Sequence, residues 1–133
     1  MKISKGCSIS HNVRIRGRVE MGMGCSIAQN CTISGESVGV FLGENVMIAP
    51  NVVIVAFSHG HEDLTIPMKL QPNHEAPVFI GDDTWVSSNC TISKGVRIEG
   101  GSIVAANSFV NQHVERYSIV GGVPAKLISS RIQ

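Results

Sequence analysis

Stepping through the chain in sixes from Ile3 meets an aliphatic side chain every time: Ile3, Ile9, Ile15, Met21, Ile27, Ile33. The beat slips by three residues and resumes as Leu42, Ile48 and Ile54. It then stops for 20 extra residues and returns as Ile80, Val86, Ile92, Ile98, Val104 and Val110. Four places after each start, outside the broken stretch, the residue is small or β-branched. Cys7, Cys25, Cys31, Ser37 and Cys90 stand there beside Val, Thr and Ser.

A period of six fits neither a helix nor an isolated strand pair, whose repeats are 3.6 and 2. It fits a short extended segment followed by a tight corner. Three segments make one triangular coil of 18 residues, so fifteen starts predict about five stacked coils. At one strand spacing per coil the prism would stand roughly 24 Å tall. Each large aliphatic points inward, the small residue four places on fills an inward position near the corner, and the backbone pairs with the coils above and below. A single unit cannot bury its own face, so stacking is obligatory. Aromatics make up only 5% of the chain, which suits a core of thin Ile and Val layers. The pattern resembles the hexapeptide-repeat family. The resemblance implies an all-β, left-handed parallel β-helix from residue 3 to about 132. The hand comes from the resemblance, since crossover connections are normally right-handed.

The 133 residues suit one domain spanning 1–133, with an excursion at about 60–77 and a tail at about 117–133. The tail segment 125–132 has helical potential and predicts a short C-terminal helix. A net charge of +1 gives no large field to attract nucleic acid or an anionic membrane. No apolar run is long enough to span a bilayer. The opening MKISKGCSIS lacks a secretory core, and a cytoplasmic protein is the expectation. The four cysteines fall in register with Val and Ser and contain no C-x-x-C spacing, so they read as buried small hydrophobes. A thiol buried without cationic neighbours is unreactive, which argues against a cysteine nucleophile.

The break VAFSHGHEDLTIPM begins as the third coil ends, with His59 at the point of departure. Pro67, Pro72, Pro77 and Gly60 fit a loop, and a loop this long inside a repeat is more often functional than ornamental. Neutral imidazole suits removal of a proton near pH 7. Ser58 is adjacent, but neighbours on an extended strand point to opposite sides, so no nucleophile–base pair is expected. His61 and His74 read as solvated loop histidines, with His61 close enough in sequence to share the side of His59. His11 and His113 fall on outward corners.

Three segments sharpen the resemblance. The run L42-GENVMIAPNVVIVAFS-H59 looks like the approach to the catalytic histidine of maltose, galactoside and polysaccharide O-acetyltransferases. The stretch P77-VFIGDDT-W85 resembles their Pro-Val-x-Ile-Gly-Asp-x-x-Trp return strand, and G121-GVPAKL-I128 their closing Gly-x-Pro-Ala-Lys-x-Ile. The resemblance implies transfer of an acetyl group from acetyl-CoA to a saccharide hydroxyl by direct attack, with His59 as general base and no metal. It places Trp85 and Ser88 along the pantetheine channel and Ala106 where a backbone amide meets the CoA arm. Asn111 and Gln112 fall where the family often has Thr-Lys near the adenine nucleotide; the Lys is missing here. Pro124 belongs to the closing motif, and Lys126 falls where a basic residue meets the CoA phosphates.

The resemblance implies an acceptor contact at Glu36 and, where a sugar-binding Asn of the galactoside enzymes is replaced by Ala28, offers the nearby Asn30; His61, on the side of His59, is a further acceptor candidate. The excursion looks more like the O-antigen and capsule enzymes than the maltose type. Arg14, Arg16 and Arg18 alternate along the first coil and read as a solvated charged face. The family's architecture implies a homotrimer with each active site between two subunits. The alternatives are N-acetylation of an amino sugar, a zinc carbonic anhydrase on the same fold, and a non-catalytic assembly surface. The zinc enzyme's five-residue histidine step is absent from His59, His61 and His74.

Overall fold

The computed structural model describes residues 1–133 as a parallel β-solenoid of triangular section. The first turn holds β1 (Lys2–Ile3), β2 (Ser8–Ile9) and β3 (Arg14–Arg16). The second holds β4 (Val19–Met21), β5 (Ser26–Ile27) and β6 (Thr32–Ser34), and the third β7 (Val40–Leu42), β8 (Met47–Ile48) and β9 (Val53–Val55). An excursion follows, with β10 (Phe57–Ser58), a short 3-10 helix (Met68–Leu70) and β11 (His74–Glu75). The prism resumes with β12 (Val78–Ile80), β13 (Trp85–Val86) and β14 (Thr91–Ile92), then β15 (Arg97–Ile98), β16 (Ile103–Val104) and β17 (Phe109–Val110). The chain closes with β18 (Ser118–Gly122) and β19 (Ala125–Ser130).

Three parallel ladders form the faces. Face A runs β1-β4-β7-β12-β15, face B β2-β5-β8-β13-β16-β18, and face C β3-β6-β9-β14-β17. The ladders hold strict 18-residue register where the sequence does: Ser8 pairs with Ser26, and Ile15 with Ile33. Inside lies one cluster of 24 buried hydrophobic residues, with Ile27, Ile33, Ile54, Ile80, Ile92 and Ile98 stacked in layers. Burying each such side chain stabilises the fold by about 1.5–3 kcal/mol.

Corners demand left-handed backbone. Between faces B and C the residue there is Asn in each of the first five turns: Asn12, Asn30, Asn51, Asn89 and Asn107, with φ of 55°, 63°, 62°, 61° and 61°. Asparagine tolerates this region better than most side chains. The small inward residues fit beneath the corners. Ser102 and Ser108 are buried and donate to the carbonyls of Glu99 and Ala105 at 2.8 and 2.7 Å. The cysteines serve the same position. All four are free, and Cys25, Cys31 and Cys90 are buried, with thiols donating to carbonyls 3.0–3.1 Å away.

Four expectations need correction. There are about six turns, not five, because Val114 bridges to Ile98 and β18 pairs with β16. That last turn is two residues short, so it escapes a count in sixes. The tail is not helical: β19 folds back antiparallel on β18 and satisfies the open edge of face B. Ser37 does not point inward. It is exposed in the three-residue slip, where its N–H and hydroxyl donate to Glu75 at 3.1 and 2.8 Å. The excursion also begins before Gly60, since Phe57–Ser58 already pair with His74–Glu75 in an antiparallel stem.

Face A closes across the break without a gap, Phe79 pairing with Phe41 and Ile80 with Leu42. The Phe41 and Phe79 rings stack at 5.0 Å, with the guanidinium of Arg18 over one and that of Arg97 over the other. The stack ties together turns two to five around the point where the loop leaves.

Candidate active site

The excursion leaves at the corner between faces C and A. Ala56 is buried and is the last residue held by the prism, its N–H bonded to Ser34 and its carbonyl accepting from Ala76. His59 follows the stem directly. Its ring is exposed and packs edge-on to Phe57, centroids 5.7 Å apart and planes at 87°. His61 Nδ1 donates to the His59 carbonyl at 3.2 Å, so His61 shares the locality of His59 but bonds its backbone. His74 is not simply solvated: its Nε2 lies 2.6 Å from Glu62 Oε1, tying the outgoing arm to the returning one. That bond and the N–H groups of Glu62 and His61 hold the Glu62 carboxyl below its usual range; the backbone N–H groups contribute most. The Thr65 hydroxyl and N–H do the same for Asp63.

Most of the remaining candidates divide between two corners, while Trp85, Pro124 and Lys126 lie elsewhere. Glu36 shares the corner of His59, a turn below it. Its carboxylate accepts from the Ser34 hydroxyl at 2.7 Å and from Arg16 at 3.3 Å. Arg16 is thereby paired, as is Arg18 with Glu20, while Arg14 is exposed. Asn111 and Gln112 lie further along the corner of His59 and are exposed. Asn30, Ser88 and Ala106 stack on the opposite corner of face C, and Asn12 Nδ2 donates to Asn30 Oδ1 at 2.7 Å. Face C spans Asn51 to Ala56, which separates the two corners by roughly 16 Å of extended chain. Trp85 lies on face B, exposed, with Met47 and Ile103 as its in-register neighbours. Pro124 forms the reversal between β18 and β19. Gln112 and Lys126 meet at the end of the prism, where both line a cavity of about 270 Å³ beneath β19 with His113, Glu115 and Ala125. One chain therefore gathers Gln112 with Lys126, and Ser88 with Ala106, but does not bring His59 to Ser88 or Ala106.

Two residues escaped the sequence reading. Phe57 is the packing partner of His59, and its place beside the histidine was the available signal. Gln71 is the one buried residue between His61 and Ala76; its amide nitrogen donates to the Asp63 and Ile66 carbonyls at 2.8 Å each. No period marks a buried amide inside a loop. No three His, Cys, Asp or Glu side chains converge in an arrangement able to hold a metal ion. No helix is long and apolar enough to cross a membrane.

Residues 77–112 match the family model described as the hexapeptide repeat of succinyl-transferase. The galactoside O-acetyltransferase of Escherichia coli K12 is 33% identical over 90 residues, covering 67% of this chain and 43% of that protein. The chain spans less than half the length of the curated relatives it matches. Among solved structures, the hexapeptide-repeat acetyltransferase VCA0836 of Vibrio cholerae, complexed with acetyl-CoA, superposes with a TM-score of 0.87 at 27% identity. The match covers 96% of this chain and 70% of that one. AntD, an N-acyltransferase of Bacillus cereus in complex with dTDP-4-amino-4,6-dideoxyglucose and coenzyme A, superposes at 0.79 and 25% identity, covering 98% and 80%.

Proposed function

The chain belongs to the hexapeptide-repeat family, and from that premise we propose that it transfers an acetyl group from acetyl-CoA to a sugar hydroxyl, with His59 as general base. The observation that carries the reading is the position of His59. An exposed imidazole stands at the mouth of the one large insertion in an otherwise regular prism, held by a paired stem. Its relatives include a galactoside O-acetyltransferase.

The chemistry follows from the residue. His59 takes the proton of the acceptor hydroxyl as the oxygen attacks the thioester carbonyl. The tetrahedral adduct collapses, the carbon–sulfur bond breaks, and the CoA sulfur leaves with the proton returned by the imidazolium. No covalent enzyme intermediate is needed. The cavity shared by Gln112 and Lys126 suits the phosphate-bearing end of CoA, since Lys126 supplies a cation beside apolar walls. Asn111 and the Pro124 reversal border that end, and Trp85, Ser88 and Ala106 line the path of the pantetheine arm. Asn30, Glu36 and His61 are the acceptor contacts in this reading.

The assembly we propose is a homotrimer with sites between neighbours. The 16 Å or so between the two corners supports it, because one chain supplies the base and another the CoA corner. So do Leu64, Ile66, Met68 and Leu70, which alternate along the excursion and are all exposed, as a segment lying against a second prism would require. A second acceptor class has its own support. The likeness to AntD favours an amino group on a nucleotide-linked sugar, and a neutral amine would use the same base.

The test is release of free thiol from acetyl-CoA with a panel of free disaccharides, nucleotide-linked amino sugars and lipid-linked glycans. The expected result is acceptor-dependent release that His59→Ala lowers by at least about 10²-fold. Full activity in His59→Ala, or no release with any acceptor, overturns the reading.

A further inference from the structure

We propose that Gln71 is a positioning residue for His59, acting through Gly60; this rests on the reading of His59 as the base. The residue after His59 is packed as if in a core. Gly60 is buried, and a Cβ there would lie 2.4 Å from the Pro72 carbonyl oxygen and 3.2 Å from Gln71 Cβ. The backbone on which His59 sits is thus pressed directly onto Gln71–Pro72, twelve residues further along the chain. What fixes that surface is the Gln71 amide. It donates to the Asp63 and Ile66 carbonyls at 2.8 Å, and its oxygen accepts from the Asp63 N–H at 3.2 Å. Both donors and the acceptor of one side chain are satisfied by loop backbone, which is the arrangement a buried amide needs. Residues 61–70 are otherwise exposed, and the 3-10 helix at their end buries nothing, so the loop has no apolar core of its own. Gln71 is its internal strut. The Glu62–His74 bond closes the loop from outside at an exposed position, where a single pair contributes little.

The consequence is catalytic geometry and not stability of the prism. Face A closes across the break without help from the loop. Loosening the loop should therefore leave the solenoid intact while His59 wanders, and a displacement of about 1 Å at a base costs on the order of 10²-fold in rate.

Gln71→Met keeps the bulk and removes all three hydrogen bonds. Gly60→Ala forces the His59 backbone off Pro72 while leaving the Gln71 amide in place. Two measurements on each variant decide the matter. One needs no substrate: amide hydrogen exchange over residues 60–66 together with the His59 ring signals by NMR. The other is kcat and KM for acetyl transfer. The expected results for Gln71→Met are exchange at least about tenfold faster across 60–66 and a changed His59 ring signal. A kcat fall of about 10²-fold, with KM for acetyl-CoA within about twofold, should accompany them. Gly60→Ala should show the same kcat fall. Unchanged exchange and ring signal in Gln71→Met overturn the proposal, as does a loosened loop with unchanged kcat. If the wild-type protein transfers no acetyl group to any acceptor, the transferase reading falls. The exchange and ring measurements still judge whether Gln71 positions His59.

Discussion

At the level of single residues, cysteine and valine are interchangeable in this prism because both fill the small space under a corner. The thiol adds a donor that meets a corner carbonyl, as Cys31 does with Ala49. Burial pushes the thiols of Cys25, Cys31 and Cys90 above their ordinary pKa, desolvation of the thiolate outweighing the backbone N–H groups that favour it. In native protein at pH 8 these three should resist a thiol reagent such as DTNB, with Cys7 in the partly open first turn reacting first and all four reacting after denaturation. The same shifts carry a sign for stability. A raised folded-state pKa means the unfolded chain releases the proton first, so the contribution is complete below about pH 8.5 and is lost as pH rises through the folded value. Alkaline unfolding followed by circular dichroism should therefore show stability falling above that pH. The cysteines were readable from sequence because they fall on the beat of six. Ser37 was misread, since the slip after Ile33 shifts the inward position to Val40, which is buried.

At the scale of elements, strands on the beat of six were legible, the edge strands β1, β2, β3, β15 and β17 included, and those off the beat were not. The segment 125–132 has helix-forming residues, but the unpaired edge of β18 offers a complete set of hydrogen bonds, and this tertiary demand overrides local preference. Pro124 then makes a reversal instead of a helix start. The excursion was recognisable from its prolines and missing beat, while its stem and its Gln71 strut depend on contacts between residues far apart in sequence. Its acidic residues give it a pH response separate from the prism. The Glu62 and Asp63 carboxyls titrate below their usual range, so the order they support is present above the ordinary carboxylate pKa and is lost as pH falls through the lower folded values. Residues 60–76 should accordingly become sensitive to pepsin at about pH 3 while the prism keeps its β-sheet circular dichroism. Loss of both signals together would show that the loop and the prism are one cooperative unit.

For the molecule as a whole, the repeat announced the architecture almost completely, apart from the shortened sixth turn. The repeat by itself is silent on assembly; a site divided between two subunits is what the family resemblance implies, and within one chain His59 stands apart from Ser88 and Ala106. That separation makes a direct prediction about assembly. On the proposed reading His59→Ala lacks the base and Ala106→Trp obstructs the opposite corner, so each alone should be inactive. Unfolding and refolding them together should restore about a quarter of wild-type activity, because a quarter of neighbouring pairs then join an intact base to an intact CoA corner. No recovery would mean that the whole site belongs to one chain. The uninterrupted pairing of Phe41 with Phe79 carries a broader meaning. A scaffold that seals itself behind its own insertion is indifferent to what is inserted, so the segment from Phe57 to Ala76 is in effect a cartridge. Evolution, or an engineer, can exchange it without renegotiating how the chain folds.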